Sequence, residues 1–163
     1  MDVGFGDAVM PAAEWIDYPT LLDLPAPHVR AYTRYTVVSE KLEAIVSLGM
    51  VNSRMKDFYD LWVLSKEFEF DGELLGRAIR ATFERRGTEI PAGAPLALRE
   101  EFARDAEKQQ QWRAFVTRGQ LRHSEAELGH VIQDVRDFVA PVLTVLAAGD
   151  TSPRNWAPKG PWR

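Results

Sequence analysis

Two opposite charges on consecutive helical segments are the residues of this chain best suited to chemistry. On a helical wheel of about 100° per residue, Lys41 shares an arc with four apolar residues: Val37, Ala44, Ile45 and Leu48. Asp57 is placed in the same way among three others: Leu61, Leu64 and Phe68. A charge on an apolar face is costly unless it is paired or faces a water-filled cleft. Lys41 and Asp57 are therefore predicted to meet or to line one site.

The pattern leaves a structural and a functional interpretation open. In the first, a buried ion pair between Lys41 and Asp57 fixes helix packing, or the Lys41 stem is buried and its ammonium reaches water. In the second, both lie at the mouth of an active site, where low-dielectric surroundings strengthen their hold on a phosphate and a proton. Arg54 lies near the arc of Asp57, and Asp60 lies at its edge.

The composition excludes several classes of protein. Among 163 residues there is no cysteine, which excludes a disulfide framework and a cysteine-bound zinc ion. The three histidines, His28, His123 and His130, lack metal-ligand spacing. No signal peptide and no run of about 18 apolar residues is present, so we expect no membrane segment and a cytoplasmic location.

Charge is unevenly distributed along the chain. The net charge is −4, yet residues 76–122 hold ten Lys or Arg against six Asp or Glu. A basic patch there, including Arg77 and Arg80, is a possible RNA contact. A solvated helix surface is the alternative.

The surrounding pattern predicts an α+β fold. Three short strands come first: Asp2–Val9, Ile16–Leu24 with Pro19 inside it, and the alternating His28–Tyr35. About five helices follow. The first is Val37–Leu48, ended by Gly49, and the second is Arg54–Phe68, capped by Asn52 or Ser53. The third runs from a cap at Asp71 to Arg86, the fourth is Arg104–Arg118, and the fifth follows a capping box at Ser124 and Glu127.

Further signals refine this outline. Pro141 is expected to kink the fifth helix or end its regular part, and residues 88–98 are expected to form a loop. The strands are interpreted as the edge of a larger, incomplete sheet (1–35), followed by a helical domain (36–149) and an extended tail (150–163). The tail is expected either to dock through its tryptophans or to lack order.

At these residues the sequence resembles a known family. The run VSEKLEAIVSLGMVNSRMKDFYDLW (Val38–Trp62) resembles the C-terminal motif region of the AbiEii/AbiGii toxins. These are nucleotidyltransferases of the DNA-polymerase-β-like superfamily, found in abortive-infection and toxin–antitoxin pairs. The opening DVGFGD, the later FARDAEKQQQWRAF and the closing GPWR resemble the same family, so the likeness covers nearly the whole chain.

The resemblance implies roles for particular residues. Asp2 matches the carboxylate of the superfamily's third acidic strand, which supports the metal-binding pair or acts on the attacking hydroxyl. Lys41 matches the family lysine expected to contact the triphosphate. Asp57 matches the aspartate of the family's last motif, which is essential for activity in family members and lies near the lysine. Arg54, as a nucleotide contact, and Lys56 and Asp60, as support, belong to that motif. Mg²⁺ is the implied cofactor and an NTP the implied substrate.

One departure limits the resemblance. The superfamily's site begins with a Gly-Gly or Gly-Ser turn and an Asp-x-Asp strand, and no such segment precedes Asp2. We therefore expect the C-terminal part of a toxin-type nucleotidyltransferase, inactive alone, which transfers a nucleotide to an acceptor such as tRNA. Its expected partners are a nucleotide, tRNA, a cognate antitoxin or a separate N-terminal half. The alternative is a non-catalytic helical module that binds an antitoxin or RNA, or a truncated remnant.

Overall fold

The computed structural model describes residues 10–19, 25–119, 121, 126–150 and 155–163. Within them the protein is α+β, as predicted. Six helices are present: α1 Arg34–Leu48, α2 Met55–Glu67, α3 Gly72–Arg86, α4 Glu100–Arg104, α5 Ala106–Gly119 and α6 Leu128–Ala147. Four short strands are present: β1 Glu14–Asp17, β2 His28–Ala31, β3 Phe70–Asp71 and β4 Asn155–Trp156. Two 3₁₀ turns, Gly49–Val51 and Leu96–Leu98, complete the outline.

The strands form two separate antiparallel pairs. β1 pairs with β2, with Trp15 opposite Arg30, and β3 pairs with β4. The predicted strand Ile16–Leu24, expected to be an edge strand or an interrupted one, overlaps β1 only at its start. β1 ends at Asp17, before Pro19, which has no N–H to continue a ladder, and residues 20–24 lie outside the described residues. The predicted strand at Asp2–Val9 lies outside the described residues.

The first helix begins earlier than predicted. The strand expected over His28–Tyr35 ends at Ala31, and α1 begins at Arg34 instead of Val37. Thr33 is the physical reason, because its hydroxyl accepts the N–H of Thr36 and caps the helix. The predicted end is confirmed, since Gly49 follows the last helical residue with a φ of 50°.

Local side chains also set the next two helices. Asn52 Oδ1 accepts the N–H of Arg54 at 2.8 Å and turns the chain into α2, although Arg54 itself occupies the cap position. The predictions for α3 are confirmed at both ends. Asp71 accepts the N–H of Leu74 at 2.8 Å, and Gly87 ends the helix in the left-handed conformation.

The helix predicted over Arg104–Arg118 is two helices. Asp105 is extended and its Oδ1 accepts the N–H of Lys108 at 3.0 Å, so α5 starts anew after α4. The capping-box prediction for α6 was also wrong. Glu127 is the extended residue just before the helix and makes no side-chain cap, while Ser124 lies outside the described residues. Trp112 Nε1 donates to the carbonyl of Ala126 at 2.8 Å and holds that segment out of the helix.

The core forms around α6. All six residues of its predicted apolar stripe are buried: Leu128, Val131, Val135, Phe138, Val142 and Leu146. The helix continues through Pro141 to Ala147, so the proline does not end it. α2 and α3 pack on α6, and α1 packs on both α2 and α3. None of the helices in the described ranges is long and apolar enough to cross a bilayer.

The tail docks through its tryptophans over residues 155–163. Trp156 is buried beside Phe138, with 5.0 Å between ring centroids, and its Nε1 donates to the carbonyl of Ser65 at 2.8 Å. Trp162 stacks on Phe138 and donates to its carbonyl at 2.8 Å. These residues therefore join α6 to the end of α2. The division into 1–35, 36–149 and 150–163 stays a prediction.

Trp156→Ala should lower the free energy of unfolding by about 3–5 kcal/mol, because it removes a buried ring and its hydrogen bond. The matched control is Trp15→Ala. That side chain is 62% exposed, and its stack on His28 is worth about 0.5–1.5 kcal/mol. Urea unfolding at pH 7 measures both. Equal losses for the two variants would show that the tail is not part of the core.

Candidate functional site

Lys41 lies between two carboxylates of the neighbouring helix. Its Nζ is 2.9 Å from Asp57 Oδ1 and 2.7 Å from Asp60 Oδ2. The lysine side chain is 18% exposed and that of Asp57 only 4%. The contact predicted between the two helices from the apolar arcs is therefore present, and the ammonium still reaches the surface.

The helix geometry explains why two carboxylates meet one cation. Asp57 and Asp60 are three residues apart on α2, so they lie on one face, one turn apart. Asp57 is also in the first turn of α2, where the helix dipole favours a negative charge. The sequence placed Asp60 only at the edge of the arc, and the three-residue spacing is the signal that identifies it as a second partner.

Two further cations at the start of α2 border this centre. Arg54 Nε lies 2.7 Å from Asp57 Oδ2, a charge contact without hydrogen-bond alignment. Lys56 Nζ lies 2.5 Å from Asp60 Oδ2. Their side chains are 58% and 70% exposed, so these outer pairs add little to stability. Three cations and two carboxylates give the cluster a net charge of +1, and its exposed part is cationic.

The electrostatics of Lys41 follow from this arrangement. Burial alone lowers the pKa of the ammonium, but hydrogen bonds and charge from Asp60 and Asp57 outweigh that effect. The pKa of Lys41 is therefore raised above its ordinary value, and the residue is positively charged at neutral pH. An ammonium has three N–H donors, and the two carboxylates engage two of them.

A cleft of about 580 Å³ opens beside the cluster, between the start of α2 and α5. Arg54, Lys56 and Asp57 line one wall, and side chains of α5 line the other. The sequence did not predict the α5 wall, since nothing in the motif around Lys41 points to a helix that begins at Ala106. A larger cavity, of about 850 Å³, lies among α4, α5 and α6 and contains none of the predicted site residues.

The remaining predicted residues lie elsewhere. Arg77 and Arg80 are exposed on α3, and Arg77 is 3.9 Å from Glu73. Asp2 lies outside the described residues. In the part of the chain that the structure describes, no three His, Cys, Asp or Glu residues are grouped to hold a metal ion. Asp57 and Asp60 are already neutralised by cations, so these residues alone do not fit a Mg²⁺ site.

Replacing both carboxylates should destabilise the protein more than the sum of the single changes. Asp57→Asn and Asp60→Asn each leave Lys41 one negative partner, whereas the double change leaves a half-buried cation with none. The double loss should approach about 3–5 kcal/mol in urea unfolding at pH 7. Glu73→Gln, in an exposed pair, is the control and should change little. Strictly additive losses would argue against a shared cation.

The raised pKa of Lys41 predicts the dependence of stability on pH. A pKa raised by folding gives stabilisation that is complete below the unfolded lysine value of about 10.4 and is lost as pH rises through the folded value. The difference in unfolding free energy between wild type and Lys41→Met should therefore be constant from pH 7 to 9 and shrink above about pH 10. Because the other lysines and tyrosines titrate in both proteins, their contribution cancels in the difference between the two unfolding free energies. A difference that does not change with pH would contradict the coupling.

Comparison with known proteins places this arrangement in a family. A family model described as nucleotidyl transferase AbiEii toxin, type IV toxin–antitoxin system, matches residues 1–140. Neither the curated proteins nor the solved structures give a match. The matched range contains α1, α2 and the whole charged cluster, and it confirms the resemblance seen in the sequence. The chain thus belongs to the AbiEii nucleotidyl transferase toxin family.

Proposed function

We propose that this chain takes part in nucleotidyl transfer from an NTP, with Lys41 as the contact to the phosphates and Asp57 as the residue that holds it. The observation that carries the proposal is the ammonium fixed between Asp57 and Asp60 at the surface of an apolar helix pair. The two carboxylates engage two of the three N–H donors, so these two hydrogen bonds also set the direction of the third. A cation fixed in advance stabilises developing phosphate charge without reorganisation during the reaction.

The other residues of the cluster have supporting roles in this proposal. Arg54 is suited to a phosphate because its guanidinium is exposed and can donate two parallel hydrogen bonds. Asp60 contacts Lys41 as the second carboxylate, and Lys56 contacts Asp60 from the outer side. When bound, Mg²⁺ would neutralise phosphate charge, and we expect its ligands to include Asp2, as the family resemblance implies.

The acceptor belongs to the same proposal. We infer an RNA acceptor such as tRNA from family membership and from the exposed arginines Arg77 and Arg80 on α3. An exposed arginine contributes affinity for a phosphate backbone without reading sequence. A cognate antitoxin is the second partner that membership of a toxin–antitoxin family implies.

Calorimetric titration of the chain with each Mg²⁺-NTP tests the nucleotide contact. We expect binding that Lys41→Met weakens at least tenfold, because a phosphate loses a charge-assisted hydrogen bond. The matched control is Lys66→Met, which removes a lysine held 2.8 Å from Asp134 at the other end of α2 and should leave affinity unchanged. In the enzyme completed by a partner half that supplies the Gly-rich turn and the Asp-x-Asp strand, transfer of labelled nucleotide to tRNA should be lost in Lys41→Met and Asp57→Asn alike.

Two results would count against this function. A folded chain that binds none of the four nucleotides would favour the non-catalytic helical module. Equal losses in Lys41→Met and Lys66→Met would show that the effect arises from helix stability and not from contact with phosphate. Circular dichroism of each variant establishes that the helices are intact.

A further inference from the structure

The cleft beside Asp57 has a second wall that the known motif does not include. Three side chains of α5 line it at positions i, i+4 and i+7: Gln111, Phe115 and Arg118. Residues at this spacing share one face of a helix. The cleft is open to solvent, and its volume of about 580 Å³ is within the range of small-molecule sites.

The charges around the cleft favour an anion. Arg54 and Lys56 enter it from the start of α2, and Arg118 enters it from α5. Asp57 is the one carboxylate in the lining, and Lys41 already binds it. Arg118 has no carboxylate within ion-pair distance among the described residues, so its guanidinium is available to a ligand.

Gln111 carries an unsatisfied acceptor in the same wall. Its Nε2 donates to Glu107 Oε1 at 2.7 Å, which fixes the orientation of the amide. Its Oε1 is shielded from water and accepts no hydrogen bond within the described part of the chain. A buried acceptor without a partner is unfavourable, so a small rotation of the Gln111 side chain that exposes this oxygen to an N–H or O–H donor of a ligand would be stabilising.

Phe115 provides a flat apolar surface between these polar groups. The ring packs against Tyr59 and Trp112, with centroids 5.9 and 5.6 Å away, and it remains partly exposed at the cleft. An aromatic ring fixed in this way can stack on any nucleobase. A phosphate group, a heterocycle and a hydrogen-bond donor together describe a nucleoside phosphate.

We propose that the α5 wall binds a nucleoside phosphate, with Arg118 on a phosphate, Phe115 against the base and Gln111 Oε1 accepting from the nucleoside. The proposal rests on the function proposed above, because α2 supplies the opposite wall of the same cleft. The nucleoside phosphate has two sources: a free NTP, or the end of a polynucleotide acceptor. Arg118, Phe115 and Gln111 are binding and specificity residues in this scheme.

Three probes separate the parts of the wall: a Mg²⁺-NTP, inorganic tripolyphosphate with Mg²⁺, and a short single-stranded oligoribonucleotide. Arg118→Gln should weaken the NTP and tripolyphosphate about tenfold, and Arg118→Lys should recover part of that loss. Phe115→Leu should weaken the NTP about 5- to 100-fold and leave tripolyphosphate unchanged, because tripolyphosphate has no base to stack. Phe115→Tyr keeps the ring and should retain affinity. Retained affinity in Phe115→Tyr would also show that the position tolerates substitution without misfolding, so that a loss in Phe115→Leu can be assigned to the ring.

Arg113→Gln is the matched control for Arg118, since Arg113 is exposed on the same helix but lines the other cavity. Losses confined to the oligoribonucleotide in Arg118→Gln and Phe115→Leu would assign the wall to the acceptor. Losses confined to the NTP would assign it to the incoming nucleotide. Equal effects of Arg113→Gln and Arg118→Gln, or an equal loss of NTP and tripolyphosphate in Phe115→Leu, would overturn the proposal.

The two proposals fail in different ways. If NTP binding depends on Lys41, and neither NTP nor oligoribonucleotide binding depends on Arg118 or Phe115, the α5 wall is wrong and the proposed function stands. If it depends on Arg118 and Phe115 but not on Lys41, the wall stands and the assigned role of Lys41 is wrong.

Discussion

The rest of the site depends on one ammonium shared by two carboxylates. Lys41 is half-buried between α1 and α2, and the sharing makes its burial tolerable because Asp57 and Asp60 both face it from one turn of α2. The same contact fixes how the two helices lie against each other. Stability and chemistry are therefore coupled here: a substitution that changes the charge also changes the geometry that any ligand would meet.

Much of the fold follows from local signals in the sequence. The stripe of α6, the Asp71 cap and the glycines after α1 and α3 are each set by neighbours a few residues away, so periodicity and turn chemistry suffice to predict them. The predicted helix boundaries are wrong where a single side chain determines where a helix begins. Thr33 starts α1 three residues early, and Asp105 divides one expected helix into two.

The residues of the site likewise fall into those that the sequence could predict and those that it could not. Lys41 and Asp57 could be paired from the sequence because each is a charge within an apolar arc on adjacent helices. Gln111, Phe115 and Arg118 could not, because what brings them to α2 is the packing of α5 on Tyr59. That contact joins distant segments, and no periodicity encodes which face of α5 will be opposite the motif.

The docking of Trp156 has a consequence for the order of folding. Its hydrogen bond to Ser65 joins residues 91 apart, whereas Lys41 and Asp57 are 16 apart. Closing the longer loop costs more chain entropy, so the α1–α2 pair can form in a nascent chain well before the far end of α2 is fastened. During that interval the charged cluster would already exist, and the docking of the tail beside Ser65 would later complete the packing at the far end of α2, where Lys66 also pairs with Asp134 of α6.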